Sequence, residues 1–265
     1  MQLNETSLAA YRGEPVDIEA VLGQISLAAK KTGWQQDRVS VENKNLRSRV
    51  DAVAYRRLSR FPSHRIYLSS GIHGDEPAGP AAILELMEAN RWPAELEVWV
   101  CPCLNPSGFL YNRRENARGI DLDRDYRSLE TEEVQTHVFW LKRKPNFDLT
   151  LCLHEDHTAP GFFLYESNPD DLPSAAKKMI SRVAGACLID RSPLIHERPA
   201  ANGIVRLADD PYRQMEWTEA IFLATHKTKL SYRLESPSQM PLEVRVTALV
   251  SAVRAAAEWV VGNAG

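Results

Sequence analysis

Between residues 66 and 87 the chain changes its structural period. Ile66-Tyr67-Leu68 is a short apolar run of the kind that forms a buried strand, and Pro77 to Met87 reads as a helix. The loop between them, Ser70-Gly71-Ile72-His73-Gly74-Asp75-Glu76, leaves the carboxyl end of the strand. Open α/β sheets place their ligands at such positions. His73 and Glu76 bring an imidazole and a carboxylate there, donors suited to zinc. Taken alone, His-x-x-Glu also describes a helix N-terminus that carries an acid. Two ligands do not hold a catalytic zinc, so the rest of the chain must supply a third.

The remaining pattern alternates strands with helices. Asp17 is placed to cap a helix carrying Ile18, Val21, Leu22 and Ile25. Strands are expected over 50–58, 96–104, 147–153, 161–165 and 230–234, and helices over 132–144, 175–186, 217–226 and from Leu242 to Val260. Residues 187–215 show no clean period and read as an irregular surface segment that covers a substrate. His137 lies beside an apolar helix stripe and reads as structural or surface. The pattern predicts one α/β domain over 1–265, with 1–15 as a loose lead-in and a twisted, mostly parallel (mixed) central sheet carrying helices on both faces.

Composition excludes several function classes. With 265 residues and a net charge of -3, the chain has no basic field for nucleic acid. No apolar run approaches the roughly 20 residues that span a bilayer. Met1 to Thr6 shows neither the basic nor the apolar region of a signal peptide. Cys101, Cys103, Cys152 and Cys187 lie in or near apolar runs without zinc-ribbon spacing, as free thiols do in a reducing, cytoplasmic compartment. Neither a GxGxxG nor a P-loop supports a nucleotide-binding domain. Nothing in the sequence sets the oligomeric state.

Three strand ends carry chemistry. The first delivers His73 and Glu76, the strand at 147–153 ends at His154, and the strand at 230–234 ends at Glu235. Parallel strands bring these ends to one sheet edge. His73, Glu76 and His154 form a His₂Glu set that binds one zinc per chain and leaves its fourth position open. Glu235 then remains as a general base. Each residue alone has a plainer reading, as a strand cap or a surface acid. Arg114 and Arg124 add guanidinium groups suited to a developing oxyanion and to a carboxylate.

Five stretches together resemble the zinc carboxypeptidase superfamily. They are His73-Gly74-Asp75-Glu76, Asn105-Pro106-Ser107-Gly108-Phe109, the run from Arg114 through Asn116 to Tyr126, Leu153-His154, and Glu235. They occur in the family's order over residues 65 to 240. The resemblance implies a carboxypeptidase-like fold and zinc on His73, Glu76 and His154. It implies that Arg114 polarises the scissile carbonyl and that Glu235 activates water. Arg124 would bind a substrate carboxylate, with Asn116 and Asp123 beside the substrate. Length and the Leu153-His154-Glu155-Asp156 stretch look closer to murein peptide amidases and succinylglutamate desuccinylase-like proteins than to digestive enzymes. Asp123 departs from the usual Asn-Arg pair: an ionised carboxylate accepts hydrogen bonds where an amide also donates. It suits a substrate amine or amide, or an acid that only orients Arg124. The family's site tyrosine has no clear counterpart, Tyr212 being a guess. Glu155, Asp156 and His157 either hold a second cation or orient His154. The expected activity is hydrolysis of a peptide or peptide-like amide. Alternatives are an N-acyl amino acid deacylase and a zinc-binding module without catalysis.

Overall fold

The computed structural model describes residues 15–43, 48–207 and 211–263. Of the predicted lead-in over 1–15, only residue 15 falls among them. The first helix, α1 (Ile18–Thr32), starts where Asp17 accepts the Ala20 N–H at 3.0 Å and stops at Gly33, whose φ of 77° lies in the left-handed region. An antiparallel ribbon follows, β1 (Gln35–Asn43) and β2 (Ser48–Arg57). β1 has no counterpart in the expected pattern, because Gln35-Gln36-Asp37-Arg38 offers no apolar alternation.

The chain then alternates: β3 (His64–Ser70), α2 (Ala78–Ala89), β4 (Leu96–Cys101), α3 (Pro106–Leu110), α4 (Glu132–Lys142), β5 (Leu149–Asp156), β6 (Phe163–Ser167) and α5 (Ala176–Val183). It closes through three short strands, β7 (Leu194–Ile195), β8 (Arg198–Ala201) and β9 (Ile204–Leu207), then α6 (Glu219–His226), β10 (Ser231–Pro237) and α7 (Leu242–Gly262). All ten strands share one sheet in the order β1-β2-β4-β3-β5-β10-β6-β9-β8-β7. Its centre, β4-β3-β5-β10, is parallel, and antiparallel pairs flank it.

Period-2 alternation sorts the central side chains between two cores. Ile66, Leu68, Val98, Val100, Leu151, Leu153 and Leu234 pack beneath α1, α2, α5 and α7. Tyr67, Trp99, Cys101 and Cys152 pack on the opposite face with residues of α4 and α6. His154 has the parity of Cys152, and Glu235 the opposite parity to Leu234, so both belong to this second face. The register makes them neighbours, Glu235 opposite His154.

Residues 187–215 correct the expectation of an irregular segment. Two tight turns fold part of it into the sheet edge. His196-Glu197, with φ of 47° and 61°, joins β7 to β8, and Asn202-Gly203, with φ of 53° and 77°, joins β8 to β9. Two central residues at positive φ are what a two-residue hairpin requires. The strands are two to four residues long, too short to display a period. β6 lies two residues beyond its expected start. Among the described residues, no helix is long and apolar enough to cross a membrane.

Candidate active site

The loop after β3 is clamped from below. Asn105, fully buried, donates through Nδ2 to the Ile72 carbonyl at 3.0 Å, and its backbone N–H donates to Gly71 O at 2.8 Å. Its Oδ1 accepts the Gly108 N–H and so caps α3. The Asn-Pro-Ser-Gly stretch is therefore the clamp that fixes the His73 loop. Gly74 permits it: a Cβ there would lie 2.0 Å from the Gly108 carbonyl carbon. Gly71 takes φ of 62°, which favours glycine.

This clamp holds His73 beneath the surface, where it meets His154 with ring centroids 5.0 Å apart. Glu76 reaches both rings. Its Oε1 lies 2.6 Å from His73 Nδ1, and its Oε2 lies 3.1 Å from His154 Nδ1. Oε2 also accepts the Glu155 N–H at 3.1 Å. Burial alone would favour neutral groups here. For Glu76 the two imidazoles outweigh it and hold the carboxyl well below its usual range. For His73 the Glu76 and Asp121 carboxylates outweigh it and raise the ring to about 9. The field that keeps a proton on His73 is the field a divalent cation would meet. A second carboxylate stands close, since one ligand atom each from His73, Asp123 and His154 lies within 4.8 Å of the others. Two imidazoles with a carboxylate form a donor set that can hold a metal ion.

Glu235 is buried beside this group. Its Oε1 accepts from Arg233 Nε, and among the described residues its Oε2 is buried with no partner. Arg114 is held by Asp121, which accepts from its Nε at 2.9 Å, and its Nη1 lies 3.8 Å from Glu76 Oε1. Asp121 also lies 3.2 Å from His73 Nε2, so one acid orients both the ring and the guanidinium. Arg124 is half-exposed and donates to its neighbour's Asp123 carbonyl at 2.9 Å. These residues open on a cleft of about 870 Å³ whose walls include Glu76, Arg114, Arg124, Tyr165, Arg233 and Glu235.

Three expected residues are placed elsewhere or otherwise engaged. Asn116 is buried and does not line the cleft. Its Oδ1 accepts the Arg118 and Ile120 N–H groups and its Nδ2 donates to Glu133 at 3.1 Å, which shapes the 114–121 loop. Asp123 is buried with both oxygens occupied, by the Glu219 N–H at 2.9 Å and Arg233 Nη1 at 2.6 Å. Tyr212 is exposed and packs on Trp217. The tyrosine on the cleft wall is Tyr165, whose hydroxyl lies 2.6 Å from His196 Nδ1, while His196 Nε2 lies 3.0 Å from Asp156 Oδ2. Glu155 also lines the cleft. It accepts the Ala78 N–H at 2.6 Å and pairs with Arg245 of α7, and burial pushes its carboxyl up to about 7. Asp121, Arg233 and Tyr165 were not singled out in the sequence, because they carry no spacing of their own. Only Arg233, two residues before Glu235 on a strand, had a face that could be read.

The chain is similar to known hydrolases. A family model described as "Protein of unknown function (DUF2817)" matches residues 23–139. Carboxypeptidase 2 of Trichophyton rubrum is 32% identical over 129 residues, which cover 43% of this chain and 23% of the relative. Carboxypeptidase SOL1 of Arabidopsis thaliana is 29% identical over 104 residues, 31% of this chain and 21% of that protein. The chain thus spans about a quarter or less of the length of the curated relatives it matches. A solved protein of Shewanella denitrificans, proposed to be a metallopeptidase, superposes with a TM-score of 0.74 at 23% identity, covering 90% of this chain and 88% of that one. A metallo-carboxypeptidase of Pseudomonas aeruginosa, solved with (2-guanidinoethylmercapto)succinic acid, gives 0.66 at 18% identity, covering 94% and 70%. At these identities the superpositions establish a shared fold.

Proposed function

We propose that the chain is a member of the zinc carboxypeptidase superfamily and a zinc-dependent hydrolase of an amide bond in a peptide or peptide-like substrate. His73, Glu76 and His154 are the residues we assign to the metal. Glu76 is preferred to Asp123 because its hydrogen bonds run to the two imidazoles that would share the ion. Asp123 is committed to a permanent cation, Arg233. When bound there, zinc supplies an acidified water and a polarised carbonyl.

The observation that carries the reading is the buried Oε2 of Glu235, which has no partner among the described residues and lies across the register from His154. A buried carboxylate oxygen without a partner costs free energy, and such a cost is retained where the group has a role. We assign this oxygen to take the proton of the attacking water and pass it to the departing amide nitrogen. Arg114, held by Asp121 on the cleft wall, is the group we assign to the carbonyl oxygen as it gains charge. Arg124, with its guanidinium half-exposed on the cleft wall, is the group we assign to a substrate carboxylate. Asn116 and Asp123 serve the framework rather than the substrate in this reading. We also infer one domain throughout and, from the free cysteines, a reducing cytoplasmic compartment.

The test is Glu235→Gln in zinc-loaded protein, assayed on peptides, murein peptides and N-acyl amino acids. The expected result is unchanged zinc content and a kcat lowered by about 10²–10⁴ on whichever class the unaltered protein hydrolyses. Near-normal turnover by the variant would remove Glu235 from the role. Hydrolysis confined to N-acyl amino acids would move the substrate to the deacylase class. No turnover of any class would leave a binding module.

A further inference from the structure

Arg233 stands inside the cleft with no part in the chemistry just assigned. It lies two residues before Glu235 on β10, so both side chains leave the same face of the strand. Its side chain is largely buried, and it makes two ion pairs at once. Nε donates to Glu235 Oε1, and Nη1 donates to Asp123 Oδ2 at 2.6 Å. Asp123 is itself pinned, because its Oδ1 accepts the Glu219 N–H at the first turn of α6. A line of contacts therefore runs from α6 through Asp123 and Arg233 to Glu235. It ends at Oε2, which has no partner among the described residues.

The physics of the pair fits an orienting role. A glutamate side chain has three rotatable bonds, and a carboxylate without a partner would swing toward any cation, Arg114 and Arg124 included. A guanidinium is a planar fork with donors in fixed directions, so a fork anchored at one tine fixes what the other tine holds. We propose that Arg233 is a positioning residue, anchored by Asp123, that holds Glu235 by Oε1 and so presents Oε2 to the reacting water. The assignment gives the acid at position 123 a reason. An amide oxygen there would accept from Nη1 only as a neutral partner, whereas a carboxylate makes the stronger charge-assisted bond. The inference rests on Glu235 being the base of the proposed hydrolysis.

The experiment compares Arg233→Ala, Arg233→Lys and Asp123→Asn in zinc-loaded protein, using a peptide that the unaltered protein hydrolyses. In Arg233→Ala, kcat should fall by about 10²-fold, the effect expected of a misplaced catalytic group, while KM and zinc content stay nearly constant. Added guanidinium should restore part of the lost kcat. Arg233→Lys retains the charge and covers the case in which the alanine variant does not fold. A point charge cannot hold both acids in the fork geometry, so its kcat should also fall at least tenfold. Asp123→Asn should show the same split of kcat from KM. A second readout needs no activity: in the metal-free protein, adding Glu235→Gln to Arg233→Ala should recover part of the unfolding stability that Arg233→Ala loses. A rise in KM alone would make Arg233 a substrate-binding group and overturn the proposal. So would a normal kcat in Arg233→Lys, or stability losses that simply add. Inactivity of the unaltered protein on every substrate would instead overturn the hydrolase reading, and the stability cycle would still decide whether Arg233 holds Glu235.

Discussion

At the scale of single residues, the centre is two imidazoles drawn to one carboxylate. Glu76 gives one oxygen to each ring, so either ring alone leaves half of the set in place. His73→Ala and His154→Ala should each lower zinc content sharply by mass spectrometry of the native protein, and the double variant should bind none. Full occupancy in the double variant would shift the ligands to Asp123 and its neighbours. The guanidinium groups separate by kinetic signature. Arg114→Ala should lower kcat by about 10²–10³, the usual loss when one oxyanion donor is removed. Arg124→Ala should raise KM more for a substrate with a free carboxylate than for its amide, by the worth of a charge-assisted hydrogen bond, about 1.5–3 kcal/mol. Equal changes for acid and amide would detach Arg124 from substrate recognition. His154 and Glu235 stand out in the sequence because each follows an apolar run, and His73 and Glu76 because they lie in the loop that leaves one. Asp121 and Arg233 do not, because their role comes from a partner distant in the chain.

At the scale of elements, the loop after β3 and the helix α4 each carry a measurable consequence. Gly74 touches the backbone of Gly108, so Gly74→Ala must push α3 away from the His73 loop. Overpacking of this kind costs about 1–3 kcal/mol. Because the displaced loop carries His73, the variant should lose zinc affinity along with stability. A stable variant with normal zinc affinity would mean that the clamp is not needed. On α4, His137 lies between the Tyr67 and Tyr126 hydroxyls at 2.8 and 2.7 Å. Burial lowers its ring to about 3, so it stays neutral in the folded protein at pH values where the unfolded chain takes up a proton. Its contribution is fully present above about pH 6.5 and is lost as pH falls toward 3, at up to about 1.4 kcal/mol per pH unit. Urea unfolding of metal-free protein between pH 6.5 and 4 should give a shallower pH slope in His137→Gln. Equal slopes would mean that the ring is accessible to protons.

At the scale of the whole molecule, α7 reaches the group of His73, Glu76 and His154 by way of one ion pair. Arg245 of α7 is fully buried, pairs with Glu155, and donates through Nε to the Met240 carbonyl at 2.8 Å. Glu155 in turn holds the first turn of α2, and its backbone N–H supports Glu76. Removing one partner of a buried pair leaves the other charge uncompensated and costs about 3–5 kcal/mol. Arg245→Ala should show that loss in denaturant unfolding together with weaker zinc binding, although Arg245 lies outside the cleft. A loss confined to stability would uncouple the helix from the centre.

What the sequence determined by itself follows from periods and from strand ends. Apolar runs alternating with helices pointed to a mostly parallel central sheet, while the order β4-β3-β5-β10 came from the tertiary structure. The residue that ends each such run then has to sit at one edge, which is how His73, Glu76, His154 and Glu235 could be gathered without coordinates. The tertiary structure alone decided the rest. β1 and the β7-β8-β9 edge are polar or too short to carry a period, and they gain their order from pairing with strands already in place. Asn116 and Asp123 were assigned to the substrate side, but neither composition nor spacing says which way a polar side chain turns. The donors that each side chain meets decide it: the Arg118 and Ile120 amides for Asn116, and the Glu219 amide with Arg233 for Asp123.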